Sequence, residues 1–160
     1  VIIGHSERST AYCESDENIA TKFMMVKKAG MTPILCVGET LIEREAGIME
    51  KVVSKQLDTI IEMYGEEIFD ETVIAYEPIW AIGSDLAASP EQAQAMHQFI
   101  REKLSSNTKV IKSLKIIYGG SVNPQNALQL FSMPDVDGGL VGRASLNASD
   151  FESICHSAEI

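Results

Sequence analysis

Two short segments place groups suited to proton chemistry at the ends of apolar runs. In Ala75-Tyr76-Glu77-Pro78-Ile79-Trp80-Ala81-Ile82-Gly83-Ser84 a carboxylate closes one such run. Burial strips a carboxylate of water and raises its pKa, which is what a general base for a carbon acid needs. The structural alternative is a buried Glu77 paired with an arginine such as Arg8. Pro78 and Gly83 bracket a tryptophan-containing stretch, which reads as a lid with one stiff and one flexible end. In Gly4-His5-Ser6-Glu7-Arg8 a histidine follows another apolar run and precedes a helical pattern. The positive end of a helix disfavours imidazolium, and a neutral ring there can donate a hydrogen bond to a carbonyl oxygen. Its structural alternative is a histidine bonded to a neighbouring main-chain carbonyl.

Two glycine-bearing turns add a different chemistry. They are Tyr118-Gly119-Gly120-Ser121 and Gly138-Gly139-Leu140-Val141-Gly142-Arg143. Glycine lets main-chain N–H groups approach an anion closely, and barrels often bind phosphate at the loops after their last two strands. Neither turn has the G-x-G-x-x-G spacing of a dinucleotide site or the G-K-[ST] of a P-loop. His97 and His156 fall in helical stretches and read as solvated or capping residues. Cys36 ends an apolar run and reads as packing, not as a nucleophile.

The elements that must hold these groups alternate. Five short strands are expected, at Val1 to Ile3, Pro33 to Val37, Thr72 to Tyr76, Lys115 to Tyr118 and Gly139 to Val141. Each is continuously apolar, as in parallel strands covered on both faces. Between them, Ser15 caps a helix with Ile19, Phe23 and Val26 on one side and Gly30 at its end. A second helix spans Ile48 to Tyr64, with Val52, Ile60 and Ile61 as its apolar positions, and stops at Gly65. Ser89-Pro90-Glu91-Gln92 offers an N-cap, a first-turn proline and a capping-box glutamine ahead of Met96, Ile100 and Leu104. Asn123-Pro124 opens a shorter helix, and Ser149-Asp150-Phe151-Glu152 is another capping box. Strict βα alternation implies an α/β parallel sheet, either doubly wound or part of a (β/α)8 barrel. A full barrel takes roughly 250 residues, so five of its eight units take about 156. The 160 residues read as one domain, an incomplete barrel of about five βα units that begins inside a strand.

Hydrophobic residues make up 45% of the chain and charged ones 22%, which is the balance of a soluble, core-forming protein. No segment approaches the roughly 20 apolar residues that span a bilayer, and no secretory leader pattern is present. A net charge of −10 and a pI near 4.7 argue against nucleic acid as a partner, while leaving room for a small anion on local N–H groups. Cys13, Cys36 and Cys155 match no metal-ligand spacing and read as reduced thiols of a cytoplasmic protein.

Taken in order, G-H-S-E-R, I-L-C-V-G-E-T, A-Y-E-P-I-W-A-I-G, Y-G-G-S-V and L-V-G-x-A-S-L resemble the triosephosphate isomerase family along the whole chain. The resemblance implies a glycolytic and gluconeogenic isomerase that interconverts dihydroxyacetone phosphate and glyceraldehyde 3-phosphate through an enediolate. On that basis Glu77 is the base, His5 the electrophile that polarises the carbonyl, and Glu7 a second carboxylate that orders the site. The N–H groups of Gly83, Ser121, Gly142 and Arg143 match the phosphate grip, and Ala81 to Ala88 match the closing lid. The chemistry implied uses no cofactor and no metal, and the family forms homodimers. The chain corresponds to the family's fourth to eighth βα units, so the family's first-strand lysine and asparagine and its dimer-docking third loop have no counterpart in it. Three positions depart from the family pattern: Ser9 stands for a second arginine, Ser84-Asp85-Leu86 for Thr-Gly-Lys at the lid tip, and Arg143 for a glycine whose backbone angles an arginine adopts less readily. Other readings are a different phosphate-binding barrel and a non-catalytic piece kept for interaction.

Overall fold

The computed structural model describes residues 1–83, 86–105 and 112–159. Its sheet has four parallel strands in sequence order: β1 (Ile2–Ile3), β2 (Ile34–Val37), β3 (Val73–Tyr76) and β4 (Lys115–Tyr118). The register runs Ile3 to Leu35, Leu35 to Ile74, and Ile74 to Ile116, so the strands end at a common edge. That edge carries the residues that follow each strand: Gly4, Gly38, Glu77 and Gly119. β1 pairs on one side only among the described residues.

Apart from Lys115 at the exposed start of β4, the strands are apolar, and β2, β3 and the rest of β4 are covered on both faces. Leu35, Ile74, Tyr76, Ile116 and Tyr118 are fully buried in one core with the inner faces of the helices. Among the described residues the helices are α1 (Ser6–Tyr12), α2 (Asp16–Lys28), α3 (Leu41–Glu45), α4 (Met49–Tyr64), α5 (Pro90–Lys103), α6 (Ala127–Phe131) and α7 (Ala148–His156), and of these α2, α4, α5, α6 and α7 bury side chains in that core. Local signals set their bounds. Ser15 accepts the Asn18 N–H to start α2, and Gly30, at φ +69°, follows its end. Ser89 and Gln92 form both halves of a capping box at α5, with Pro90 in the first turn.

The expected fifth strand is a correction. Gly139 makes a single parallel bridge to Tyr118, flanked by Tyr118 N–H to Gly138 O (2.9 Å) and Leu140 N–H to Tyr118 O (2.8 Å). A glycine pair brings no side chains to hold a ladder, and no strand lies on its other side among the described residues. Three smaller expectations also shift. The inner face of α4 is Val53, Leu57 and Ile60, one position along from Val52, which is half-buried. The N-cap of α7 is Asn147, whose side chain accepts the Asp150 N–H, so Ser149 lies inside the first turn. His97, expected to be solvated or capping, is fully buried on the inner face of α5 beside Met96 and Ile100.

Candidate active site

Glu77 is the first residue after β3, and the sheet fixes its backbone. Its N–H donates to Val37 O (2.8 Å), and the Gly119 N–H donates to Tyr76 O (2.8 Å). Glycines on both neighbouring strand ends make room for it. A Cβ on Gly38 would lie 1.8 Å from Glu77 O, and one on Gly119 would lie 2.8 Å from Glu77 Cγ. The side chain is 2% exposed. Burial pushes its carboxyl pKa up, opposed chiefly by the Ser6 N–H that donates to Oε2 at 3.0 Å and by the nearby His5 ring. Arg8 is not its partner: the guanidinium pairs with Glu14 at 3.1 Å and stacks over Tyr12. The arginine-paired alternative for Glu77 therefore falls.

His5 is the N-cap residue of α1, just before its first position, with Nδ1 accepting the Glu7 N–H at 3.3 Å. That bond assigns the proton of a neutral ring to Nε2. Nε2 lies 3.1 Å from Glu77 Oε1, close enough for charge attraction but not aligned as a hydrogen bond, so Oε1 has no hydrogen-bond partner. The base and the electrophile expected from sequence are thus neighbours in space, although 72 positions separate them in the chain.

On the other side of His5 opens a cavity of about 380 Å³. Its lining includes His5, Glu7, Gly83, Ser121, Gly142 and Arg143, so six of the seven expected site residues share one space. Glu77 stands apart from it, against Ser6 and the narrower space beside Cys36 and Gly38. Among the described residues no acceptor meets the N–H of Gly142 or of Arg143. The Ser121 N–H is different: it donates to Ala81 O at 3.0 Å and is free for an anion only after that bond breaks. Arg143 opens a short 3-10 helix and does not have positive φ, so the replaced glycine imposes no left-handed backbone on it.

The expected lid is described at both of its ends, while Ser84 and Asp85 at its tip lie outside the described residues. A 3-10 turn, Ile79–Ala81, starts it and Gly83 follows at φ +64°. Trp80 Nε1–H donates to Glu39 Oε1 at 2.8 Å, and at the far end the Ala88 N–H donates to Tyr118 Oη at 3.1 Å. Glu39 is the residue that sequence reasoning missed. It is fully buried, accepts from Tyr76 Oη (3.0 and 3.1 Å) and pairs with Arg44 (3.0 Å), whose guanidinium lies over the Trp80 ring. Burial, with Glu39 close by, pushes the Tyr76 hydroxyl up, so it stays a donor. The available signal was its place: Glu39, like Glu77, is a carboxylate just past the end of a buried strand.

Cys36 is buried as expected, and burial together with the Glu77 carboxylate holds its thiol protonated. No group of three or more histidine, cysteine, aspartate or glutamate side chains placed to hold a metal ion occurs among the described residues. Nor is any of the described helices long and apolar enough to cross a membrane.

A sequence model of the triosephosphate isomerase family matches residues 1–158. The triosephosphate isomerase of Hydrogenovibrio crunogenus is 55% identical over 159 residues, which cover 99% of this chain and 63% of that protein. Those of Pseudomonas entomophila and Haemophilus ducreyi are 52% and 54% identical, with 63% and 62% of their lengths covered. The chain therefore spans somewhat under two thirds of the curated relatives it matches.

Proposed function

The chain belongs to the triosephosphate isomerase family, and from that premise we propose that it carries the proton-transfer and phosphate-binding parts of a site that interconverts dihydroxyacetone phosphate and glyceraldehyde 3-phosphate. The observation that carries this reading is the single cavity that gathers His5, Glu7, Gly83, Ser121, Gly142 and Arg143 with Glu77 beside it.

The phosphate end of the substrate sits on the open N–H groups of Gly142 and Arg143. Gly83 and Ser121 join once the Ala81 contact is released. The carbonyl oxygen then faces His5 Nε2–H, the one proton the ring has to give. Glu77 leaves the Ser6 N–H and takes a proton from the carbon next to the carbonyl; His5 Nε2–H gives its proton to the negative carbonyl oxygen and the ring takes back the proton of the neighbouring hydroxyl, while Glu77 returns its proton to the former carbonyl carbon, so the carbonyl has moved by one carbon. Burial helps the base because a carboxyl whose pKa is raised holds the proton better while the enediolate exists. Glu7 orders the cavity rim, and closure of the lid from Trp80 excludes water. The family's lysine and asparagine must come from a further segment, so this chain is inactive by itself. The complete enzyme is a cytoplasmic homodimer acting on triose phosphates, with no cofactor, metal or nucleic acid involved.

A coupled isomerase assay tests the reading, run on the chain alone and with a polypeptide supplying the family's first three βα units. Activity is expected only in the mixture, and Glu77→Asp should lower it by about 100-fold or more, since a carboxylate moved by about 1 Å loses its alignment. No activity in a mixture shown to be folded together would refute the reading and favour a non-catalytic role.

A further inference from the structure

The sequence places an arginine where the family pattern has a small residue, and the structure puts that arginine on the anion cavity. Arg143 is exposed and forms no ion pair among the described residues. Only one other residue of the lining, Glu7, carries a permanent charge; it is exposed, and its carboxylate has no cationic partner there either. The lining is thus formally neutral with Arg143 and would carry one negative charge without it, in a chain whose net charge is already −10. An anion on the N–H groups of Gly142 and Arg143 lies within the sweep of the Arg143 side chain, which is attached one bond from its own amide. A guanidinium folding over such an anion adds a charge-assisted, geometrically matched pair of donors.

We propose that the guanidinium of Arg143, and not only its amide, is a ligand for phosphate in this cavity, and that it makes the cavity prefer the dianion. This rests on the phosphate-binding reading above and deepens it. The guanidinium supplies a positive charge that a carboxylate-bearing cavity would otherwise lack, adding an ion–ion attraction to the weaker charge–dipole attraction of the main-chain amides. Two consequences follow. Binding weakens as salt rises, because an exposed ion pair is screened. It also strengthens as phosphate passes from monoanion to dianion, since Coulomb attraction scales with ligand charge.

The test uses the full chain and inorganic phosphate, with the dissociation constant read by titration calorimetry and the position of binding by the amide resonances of Gly142 and Arg143. Two variants are compared, Arg143→Gln and Arg143→Lys, both of which keep the main-chain N–H groups of the turn. Arg143→Gln is expected to weaken binding by about tenfold or more and to flatten its salt dependence, with Arg143→Lys recovering part of both. Circular dichroism of each variant establishes that the exposed substitution leaves the fold intact. Binding by Arg143→Gln within about twofold of the parent, with the Gly142 and Arg143 amide resonances still shifting on phosphate addition, would overturn the guanidinium's role and leave the cavity reading standing. Phosphate that fails to bind the parent chain, or that binds with no response of either amide resonance, would overturn both.

Discussion

The burial of His97 predicts a measurable pH dependence of stability. The ring has no solvent exposure and sits between Tyr76 (5.8 Å between centroids, edge to face) and Tyr118 (6.5 Å). Nδ1 lies 3.2 Å from Asp135 O, so it carries the proton, and Nε2 has no partner. A second proton on Nε2 would place a charge in the core with nothing to accept it. Burial, the largest effect, lowers the pKa from 6.5 to about 4, the Asp135 carbonyl opposing it and Arg101 adding to it. The unfolded chain therefore binds a proton that the native chain refuses, and stability rises with pH across this window. Its full contribution is present above about pH 6.5 and disappears as the pH falls toward 4. The difference between the two values, at about 1.4 kcal/mol for each pH unit, amounts to roughly 3 kcal/mol, of which about 2 is gone by about pH 5. Urea unfolding, followed through the single tryptophan, would be measured at about pH 7, 6 and 5 for the parent and for His97→Gln, which keeps a donor for Asp135 but cannot titrate. Glu77, whose pKa is raised, acts with the opposite sign, since acidification relieves its burial; it is common to both proteins and cancels in the comparison. Profiles that run parallel within about 0.5 kcal/mol would mean that water or a local opening solvates the ring and that the argument from burial is wrong.

Two further substitutions probe the frame around the base. Glu39→Gln removes the buried charge that faces Arg44, Tyr76 and Trp80. It should cost about 3 kcal/mol, as expected for breaking a buried pair, and it should red-shift Trp80 emission as the base of the lid loosens. An unchanged spectrum and unfolding midpoint would show that the network holds nothing in place. Gly38→Ala sets a methyl 1.8 Å from the Glu77 carbonyl, so one backbone must move. A loss of about 1–3 kcal/mol or more is expected by thermal or urea unfolding, and a variant as stable as the parent would show that the strand ends are more compliant than their hydrogen bonds suggest.

Much of this architecture was readable from local rules. Continuous apolar runs located the four strands because both faces of a parallel sheet are covered, and Ser15 and Ser89 located helix starts because an N-cap side chain satisfies donors the helix cannot. The fifth strand was misread for the same reason that the others were read correctly. Leu140 and Val141 have the right composition, but a strand is a pairing, and pairing depends on a neighbour that the residues themselves do not encode. His97 was misplaced because one histidine among polar helix residues looks solvated until the helix is rotated against the sheet. The 3.6-residue period that put Met96 and Ile100 inside also brings His97 in, one step round from Met96, because the apolar face is broad. Glu39 was passed over because its role is to hold other side chains, and only tertiary contact reveals that.

The position of Glu77 follows from competing demands on a single carboxylate. A base must be poorly solvated to be strong, yet a carboxylate without water needs donors in exchange. Here Oε2 accepts the Ser6 N–H, while Oε1 has no aligned hydrogen-bond donor and faces the His5 ring at 3.1 Å; the Ser6 and Cys36 side chains close by also favour the charged form. On the proposed reading, this incomplete satisfaction suits a base that moves toward the cavity. Ser121 follows the same logic on that reading: its N–H donates to Ala81 O, and a bound anion would compete for it. On the proposed reading, Ala81 holds one of the anion's donors in a neutral bond of about 1 kcal/mol net and Ser6 holds the base in a charge-assisted bond of about 1.5–3 kcal/mol, so substrate contacts of similar size suffice to exchange them. Strengthening either resting bond should therefore slow turnover without harming the fold. A substitution that stabilises the Ala81 to Ser121 contact should raise the Km for triose phosphate in the reconstituted enzyme, and an unchanged Km would refute the idea that the lid and the anion share that donor.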